Sequence, residues 1–411
     1  MPTCQPANVP TIEEQIALLR RGAAEIIPED ELRVKLEKAA QAGRPLRVKL
    51  GIDPTARDVT LGWAVVLRKL RQFQDLGHEA CLIVGDFTAM IGDPSGKSKT
   101  RRQLSREEVQ GYVEACTQQL FKILDRDKTR LFFNSDWLGK MTMHEVIHLC
   151  SKYTVARLLE REDFSKRLAE QKPLYVHEIL YPLCQGYDSI AIQADVEMGG
   201  MDQKFNNLVG RELQREVGQE PQVVFLMPLL VGTDGEEKMS QSLGNYIGIA
   251  EPPFEMFSKV MSIPDKAMEQ YFVLCTDVPL DEVQRVLQDP YAAKKRLARE
   301  IVTLYHSADA AQAAQEQWTH IFSQRKIEAE EAPTIEVQRQ WLSEDGTSRL
   351  IEFIRLIGFA PSNSEARRLI QQKAVEINGN VIADINARIA PQDDMIVKVG
   401  KRRFGKVKIV G

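Results

Sequence analysis

What this 411-residue sequence has little of narrows it first. Its six cysteines, Cys4, Cys81, Cys116, Cys150, Cys184 and Cys275, are scattered with no Cys-x-x-Cys pair, so neither a disulfide framework nor a zinc knuckle is indicated and a reducing cytoplasm is expected. Histidine is scarce as well. His144 and His148 stand four apart on an expected helix, which is metal-ligand spacing, but no third ligand accompanies them and no metal site is expected. No apolar run approaches the roughly 18 residues that span a bilayer. The start, Met-Pro-Thr-Cys-Gln-Pro, lacks the basic-then-apolar pattern of an export signal, so a soluble, unexported protein without a membrane partner is expected. Internal repeats and low-complexity tracts are missing too. A net charge of −4 argues against wholesale nucleic-acid binding, yet the charge is uneven: residues 346–411 carry +6 and the remainder −10. A basic tail on an acidic body implies a localised contact with phosphates.

What is present is a chain with enough apolar residues, 43%, to bury a large core. Apolar positions at helical spacing between residues 12 and 40, broken at Ile27-Pro28, predict two short helices. Leu46 to Ile52 alternates like a strand, turns at Asp53-Pro54-Thr55 and leads into a helix from about Gly62 to Leu76. The unit repeats at once, because Ala80 to Gly85 is an apolar run of the kind buried in parallel sheets. Asp195 to Gly200 and Val223 to Leu226 read as further strands, and residues 106–171 as a helix-rich insertion. Successive strand-loop-helix units predict an α/β fold with a doubly wound, Rossmann-like parallel sheet, whose ligands sit beyond the carboxyl ends of the strands, at the loops 53–63 and 86–99. The expected divisions are a catalytic domain over 1–245, a helical domain over 246–330, a linker over 331–346 and a small module over 347–411.

Four segments carry chemistry. Tyr181-Pro182-Leu183-Cys184-Gln185-Gly186-Tyr187-Asp188 places Tyr181, Gln185 and Asp188 at i, i+4 and i+7, on one face of a helix. Lys238-Met239-Ser240-Gln241-Ser242 is similar to the mobile Lys-Met-Ser-Lys-Ser loop of class I aminoacyl-tRNA synthetases. Thr60-Leu61-Gly62-Trp63 stands where that class has His-x-Gly-His, and Gly199-Gly200-Met201-Asp202-Gln203 resembles its Gly-Gly-(Ser/Thr)-Asp-Gln turn. Together these segments resemble the bacterial tyrosyl-tRNA synthetases.

The resemblance implies a tyrosine site in which Asp188 accepts the phenol hydrogen bond. Tyr181, Gln185, Asp93 and Thr88 surround the ammonium, Gln203 meets the carboxylate, and Asp53 lies near the reacting groups. It implies an ATP site made of Thr60, Gly62, Trp63, Gly200, Asp202, Lys238 and Gln241, with Lys238, Thr55, Lys97 and Arg101 acting on the phosphates. Thr60 keeps a hydroxyl in place of the first histidine. Trp63 replaces the second with an indole that either stacks on the nucleotide or fills its space. Gln241 exchanges a charged hydrogen bond for a neutral one, a loss of ~1 to 3 kcal/mol unless compensated.

Residues 350–411 resemble an S4-type RNA-binding domain, in which Ser364 is expected to cap a helix presenting Arg367, Arg368 and Lys373 to RNA phosphates, with Lys401-Arg402-Arg403 extending that surface. The implied reaction joins L-tyrosine to tRNA(Tyr) through an adenylate, with ATP and Mg2+ as substrate, no tightly bound cofactor, and a homodimer as the working form. Two other readings stay open at this stage. One is a paralogue that adenylates tyrosine for another acceptor; the other is a non-catalytic RNA-binding descendant.

Overall fold

The computed structural model describes residues 10–53, 58–93, 106–331, 333–343, 345–378, 380–400 and 403–410. Two compact units result, Met1–Gln315 and Glu316–Gly411. The helices that follow residue 245 belong to the first unit as far as Gln315.

The first unit is built on a six-stranded sheet of β1 (Glu25–Ile27), β2 (Arg47–Ile52), β3 (Glu79–Val84), β4 (Thr129–Phe133), β5 (Val196–Gly200) and β6 (Val223–Met227), in the order β1-β6-β5-β2-β3-β4. The pairs from β6 through β4 are parallel, and β1 joins β6 antiparallel. Taken without β1, this is the doubly wound order, and its direction reverses between β2 and β5, where a crevice opens beyond the strand ends. β6 is an apolar run buried throughout, and β5 is buried almost throughout although it carries Glu197. β2 is different, because the alternating Arg47 and Lys49 read as a polar face, yet helices cover both faces of the sheet and Lys49 is fully buried.

Three expectations change here. The break at Ile27-Pro28 carries β1, a strand of three half-buried residues too short to show a period. The stretch 106–171 is more than a helical insertion, since it supplies β4, the sheet's other edge. The span 331–346, expected as a linker, contains a strand (below).

The helix Leu61–Asp75 begins where Thr60, in extended conformation, accepts a hydrogen bond from the Trp63 N–H. Among the described residues, no helix is long and apolar enough to cross a membrane.

In the second unit β7 (Thr334–Gln338), β8 (Ser348–Arg349), β9 (Val375–Ile377), β10 (Asn380–Val381), β11 (Arg388–Ile389), β12 (Ile396–Val399) and β13 (Arg403–Val410) form a five-stranded sheet, β10-β9-β12-β13-β7, and a two-stranded one, β11-β8. β7 runs parallel to β13 and places Val337 in the unit's core, so this segment is held by a full ladder. Helices Leu350–Leu356 and Asn363–Gln371 pack together over that core. The second helix is capped by Ser362, whose hydroxyl accepts from the Glu365 N–H at 3.2 Å, and not by Ser364, which already lies inside the first turn.

Candidate active site

The crevice at the switch point is a cleft of about 870 Å³ between the ends of β2 and β5. Every described residue expected to meet tyrosine or ATP lines it: Asp53, Thr88, Asp93, Tyr181, Gln185, Asp188 and Gln203, and then Thr60, Gly62, Trp63, Gly200, Asp202, Lys238 and Gln241. Thr55, Lys97 and Arg101 lie outside the described residues, as do Lys401 and Arg402.

The helix Val176–Ile192 delivers Tyr181, Gln185 and Asp188 on one face, as their spacing predicts. Asp188 is buried at 3% exposure. Its Oδ1 accepts from the Trp137 indole N–H at 2.8 Å, and its Oδ2 from Asn134 Nδ2 at 3.4 Å. Burial pushes the Asp188 carboxyl up to about 7, opposed by the nearby Lys49 and by these two donors. Asn134 also donates to Thr88 Oγ1 at 3.0 Å, and Thr88 donates to Asp53 Oδ1 at 2.8 Å. The Tyr181 hydroxyl donates to Asp53 Oδ2 at 2.7 Å. Burial, with the carboxylates of Asp53 and Asp93 close by, holds the Tyr181 phenol well above its ordinary range, so it stays a neutral donor.

A second chain of bonds leads away from the pocket floor. Gln203 donates to Asp93 Oδ2 at 2.8 Å, and Asn206 donates to Gln185 Oε1 at 3.1 Å and to Gln203 Oε1 at 3.0 Å. Polar side chains bonded to one another this way have their rotamers fixed before any ligand arrives.

Backbone at the strand ends is equally constrained. A Cβ on Gly85 would fall 2.0 Å from Asp53 Oδ1 and 2.3 Å from Thr88 Oγ1, so only glycine lets those side chains meet. A Cβ on Gly200 would approach Asp202 Oδ1 at 2.8 Å and Leu229 Cδ2 at 2.9 Å. Gly62 differs, since a Cβ there would make ordinary 3.5 Å contacts with Met239 and Thr60. Packing does not demand that glycine; its bare backbone opens the cleft.

The other end of the cleft is more open. Lys238 pairs with Asp202 Oδ2 at 2.9 Å, both partly exposed. Gln241 Nε2 donates to the Asp58 carbonyl, and Tyr246 reaches the Asp58 carboxylate at 3.3 Å, so the 238–245 segment is tied to the loop before Thr60. Trp63 is 37% exposed on the cleft wall, which leaves an aromatic surface facing the space.

In the second unit Arg367, Arg368 and Lys373 are exposed as expected, and Arg368 forms a surface pair with Glu365 at 2.7 Å. Lys373 sits in the left-handed region, φ 56°, just after the helix.

Several residues of the site carried no motif. Asn134 and Trp137 hold Asp188 from another segment, Gly85 clears room for Asp53, and Lys49 and Glu197 pair beneath the pocket helix. The apolar run Ala80 to Gly85 marked a strand end and gave no sign of the glycine's role.

A doubly wound sheet with its cleft at the switch point, closed by a Lys-Met-Ser segment, defines a class I synthetase architecture. The family pattern described as tRNA synthetases class I (W and Y) matches residues 41–323, and the S4 domain pattern matches 348–395. The chain belongs to this family of class I tRNA synthetases, in its tyrosine–tRNA ligase branch. It is 52% identical over 407 residues to the tyrosine–tRNA ligase of Carboxydothermus hydrogenoformans, covering 97% of this chain and 98% of that one. It is 50% identical over 405 residues to that of Moorella thermoacetica, covering 96% of each. In fold it is similar to the Archaeoglobus fulgidus tyrosyl-tRNA synthetase complexed with L-tyrosine, at a TM-score of 0.60 and 22% identity over 74% of this chain and all of the other. It is likewise similar to a C-terminally truncated mitochondrial tyrosyl-tRNA synthetase from Aspergillus nidulans, at a TM-score of 0.63 and 22% identity over 76% of this chain and 94% of the other.

Proposed function

We propose that this chain activates L-tyrosine with ATP and transfers it to the 3′ end of tRNA(Tyr). The observation that carries the reading is the buried Asp188, fixed by Trp137 and Asn134 at the floor of the cleft, with the Lys238–Asp202 pair at the opposite end. A carboxylate in that place selects a ligand that donates a hydrogen bond, because an analogue without the hydroxyl leaves the acceptor buried and unpaired.

In the first step the tyrosine carboxylate attacks the α-phosphorus of ATP, forming tyrosyl-adenylate and releasing pyrophosphate. In the second a terminal ribose hydroxyl of the tRNA takes the acyl group and AMP departs. Neither step needs a protein nucleophile, so the side chains act by positioning and by charge. Tyr181, Gln185, Asp93 and Thr88 receive the ammonium, Gln203 orients the carboxylate, and Asp53 stands beside the reacting groups. Asp202 takes the ribose hydroxyls, and Gly62 and Gly200 let the nucleotide approach backbone. Lys238 leaves Asp202 for the phosphates as negative charge moves onto pyrophosphate. Thr60 adds a hydroxyl, Trp63 an aromatic face and Gln241 a neutral donor, while Thr55, Lys97 and Arg101 keep the phosphate roles that the resemblance implies. ATP enters as its magnesium complex.

Catalysis is assigned to 1–245, tRNA contacts to 246–330 and to Arg367, Arg368 and Lys373 in 347–411. The protein works in the cytoplasm as a homodimer. Exposed Met143, Ile147, Val155, Tyr175 and Val176, 52–74% accessible around the small core of Leu149, Leu158 and Leu183, offer an apolar surface for the second copy.

The test is tyrosine-dependent exchange of pyrophosphate into ATP, followed by charging of tRNA(Tyr). Both are expected. Exchange without charging would favour the adenylating paralogue, and tRNA binding without exchange would favour the RNA-binding descendant.

A further inference from the structure

Beneath the pocket helix lies a charge pair that the reaction as described does not use. Lys49, in the middle of β2, is 0% exposed and Glu197, on β5, 1%. Lys49 Nζ donates to Glu197 Oε1 at 2.9 Å, to Ser189 Oγ at 2.8 Å and to the Gln185 carbonyl at 2.8 Å. Glu197 also accepts from Gln185 Nε2 at 3.2 Å, from Ser189 at 3.1 Å and from Gln222. The pair therefore grips the backbone and side chain of Gln185 and the side chain of Ser189, the residue next to Asp188. A buried pair of this kind adds little stability over an apolar replacement, so its presence calls for another reason.

We propose that Lys49 is a positioning residue for tyrosine recognition: it clamps the substrate-facing helix to the sheet and supplies the positive field that favours an acceptor carboxylate at Asp188. The inference rests on the reading of Asp188 as the acceptor of the phenol hydroxyl. The charged and titratable groups facing Asp188 are Lys49 from β2, Glu197 from β5, and Tyr181 and Cys184 from its own helix. Asn134 and Trp137 complete the shell as neutral donors. Lys49 is the cation in this set, and it opposes the effect of burial on Asp188, whereas Glu197 reinforces it. Lys49 and Glu197 thus act on Asp188 with opposite sign while sharing one structural role. That opposition separates electrostatic tuning from simple packing.

The experiment is tyrosine-dependent pyrophosphate exchange by the full chain between pH 6 and 9, comparing the parent with Lys49→Met, Glu197→Gln and Asp188→Asn. In Lys49→Met the acid limb of kcat/KM for tyrosine moves up by about one pH unit, with KM at pH 7 raised about fivefold and a much smaller gap at pH 8.5. In Glu197→Gln the limb moves down. Glu197→Gln keeps the size and shape of the side chain and removes its charge. If Lys49→Met does not fold, the downward shift in Glu197→Gln still carries the test. Shifts in the same direction, or unmoved limbs with Asp188→Asn defective in tyrosine binding, overturn the role of Lys49 alone. An Asp188→Asn enzyme that keeps the parental KM for tyrosine overturns the assignment of Asp188, and this inference with it.

Discussion

The two ends of the cleft are built on different principles. At the tyrosine end Asp188, Asn134, Thr88, Asp53 and Tyr181 form a continuous chain of hydrogen bonds between buried or half-buried side chains on separate segments. At the nucleotide end the groups are partly exposed: Lys238 on Asp202, Gln241 on the Asp58 backbone, and Trp63 on the wall. The first end is organised in advance and selects; the second is held by contacts that a charged ligand can exchange for its own. This fits the departures from the family pattern at Trp63, Met201 and Gln241, all at least partly exposed, whereas Thr60 is buried and keeps its hydroxyl in the cap of the helix. A partly solvated phosphate site tolerates a change of donor, whereas a buried network punishes any unpaired group.

The contrast is broken most directly at Asp188. Asp188→Ala is expected to lower kcat/KM for tyrosine by about 10² to 10³-fold, the cost of losing a buried charged acceptor, with KM for ATP nearly unchanged. Steady-state pyrophosphate exchange measures both. Lys238→Ala gives the complementary result, a fall in kcat of about 10²-fold, since its charge matters chiefly as pyrophosphate forms. Its tyrosine affinity, from equilibrium binding, stays within about twofold of the parent. A large rise in tyrosine KM in that variant would merge the two ends into one network.

The legible parts of this molecule were those written in consecutive residues. The strands that became β3 and β6 read clearly because apolar runs bounded by loops leave a local pattern, β2 because its residues alternate, and Tyr181, Gln185 and Asp188 because one helix face is just as local. What escaped is non-local. β1 and β7 are short strands that gain their place from partners far along the chain, Leu226 for Glu25 and Lys406 for Thr334. Lys49 meets Glu197 across 148 residues, and Asp188 meets Trp137 across 51. No local spacing encodes such a pair. Ser362 and Ser364 show the same limit at short range, where two candidate caps two residues apart are separated only by the backbone angles that the fold imposes.

A smaller effect sharpens the nucleotide end. If Trp63 gives ATP an aromatic face, Trp63→Ala raises KM for ATP about tenfold, in line with base–aromatic stacking worth ~1 to 3 kcal/mol, and leaves KM for tyrosine alone. An unchanged or lower KM for ATP would show instead that the indole fills space the nucleotide needs. Trp63→His in parallel distinguishes loss of stacking from gain of a polar donor.

The smallest effect tests the tyrosine end through stability rather than rate. Burial raises the Asp188 carboxyl from an ordinary 3.8 to about 7, so the folded chain favours its neutral form. The stability that this preference contributes is fully present below the unfolded value and is lost as pH rises through 7. Asp188→Asn cannot ionise. In the absence of tyrosine it is therefore expected to melt a few degrees above the parent at pH 8, with the gap closing towards pH 4. Tyrosine should raise the melting temperature of the parent and leave that of Asp188→Asn nearly unmoved, because only the carboxylate accepts the phenol fully. A parent that outmelts the variant at pH 8 without tyrosine would mean that Trp137, Asn134 and Lys49 already offset the burial of the charge. The pocket would then be an ionised site at rest, and the difference between the two ends would lie in burial alone.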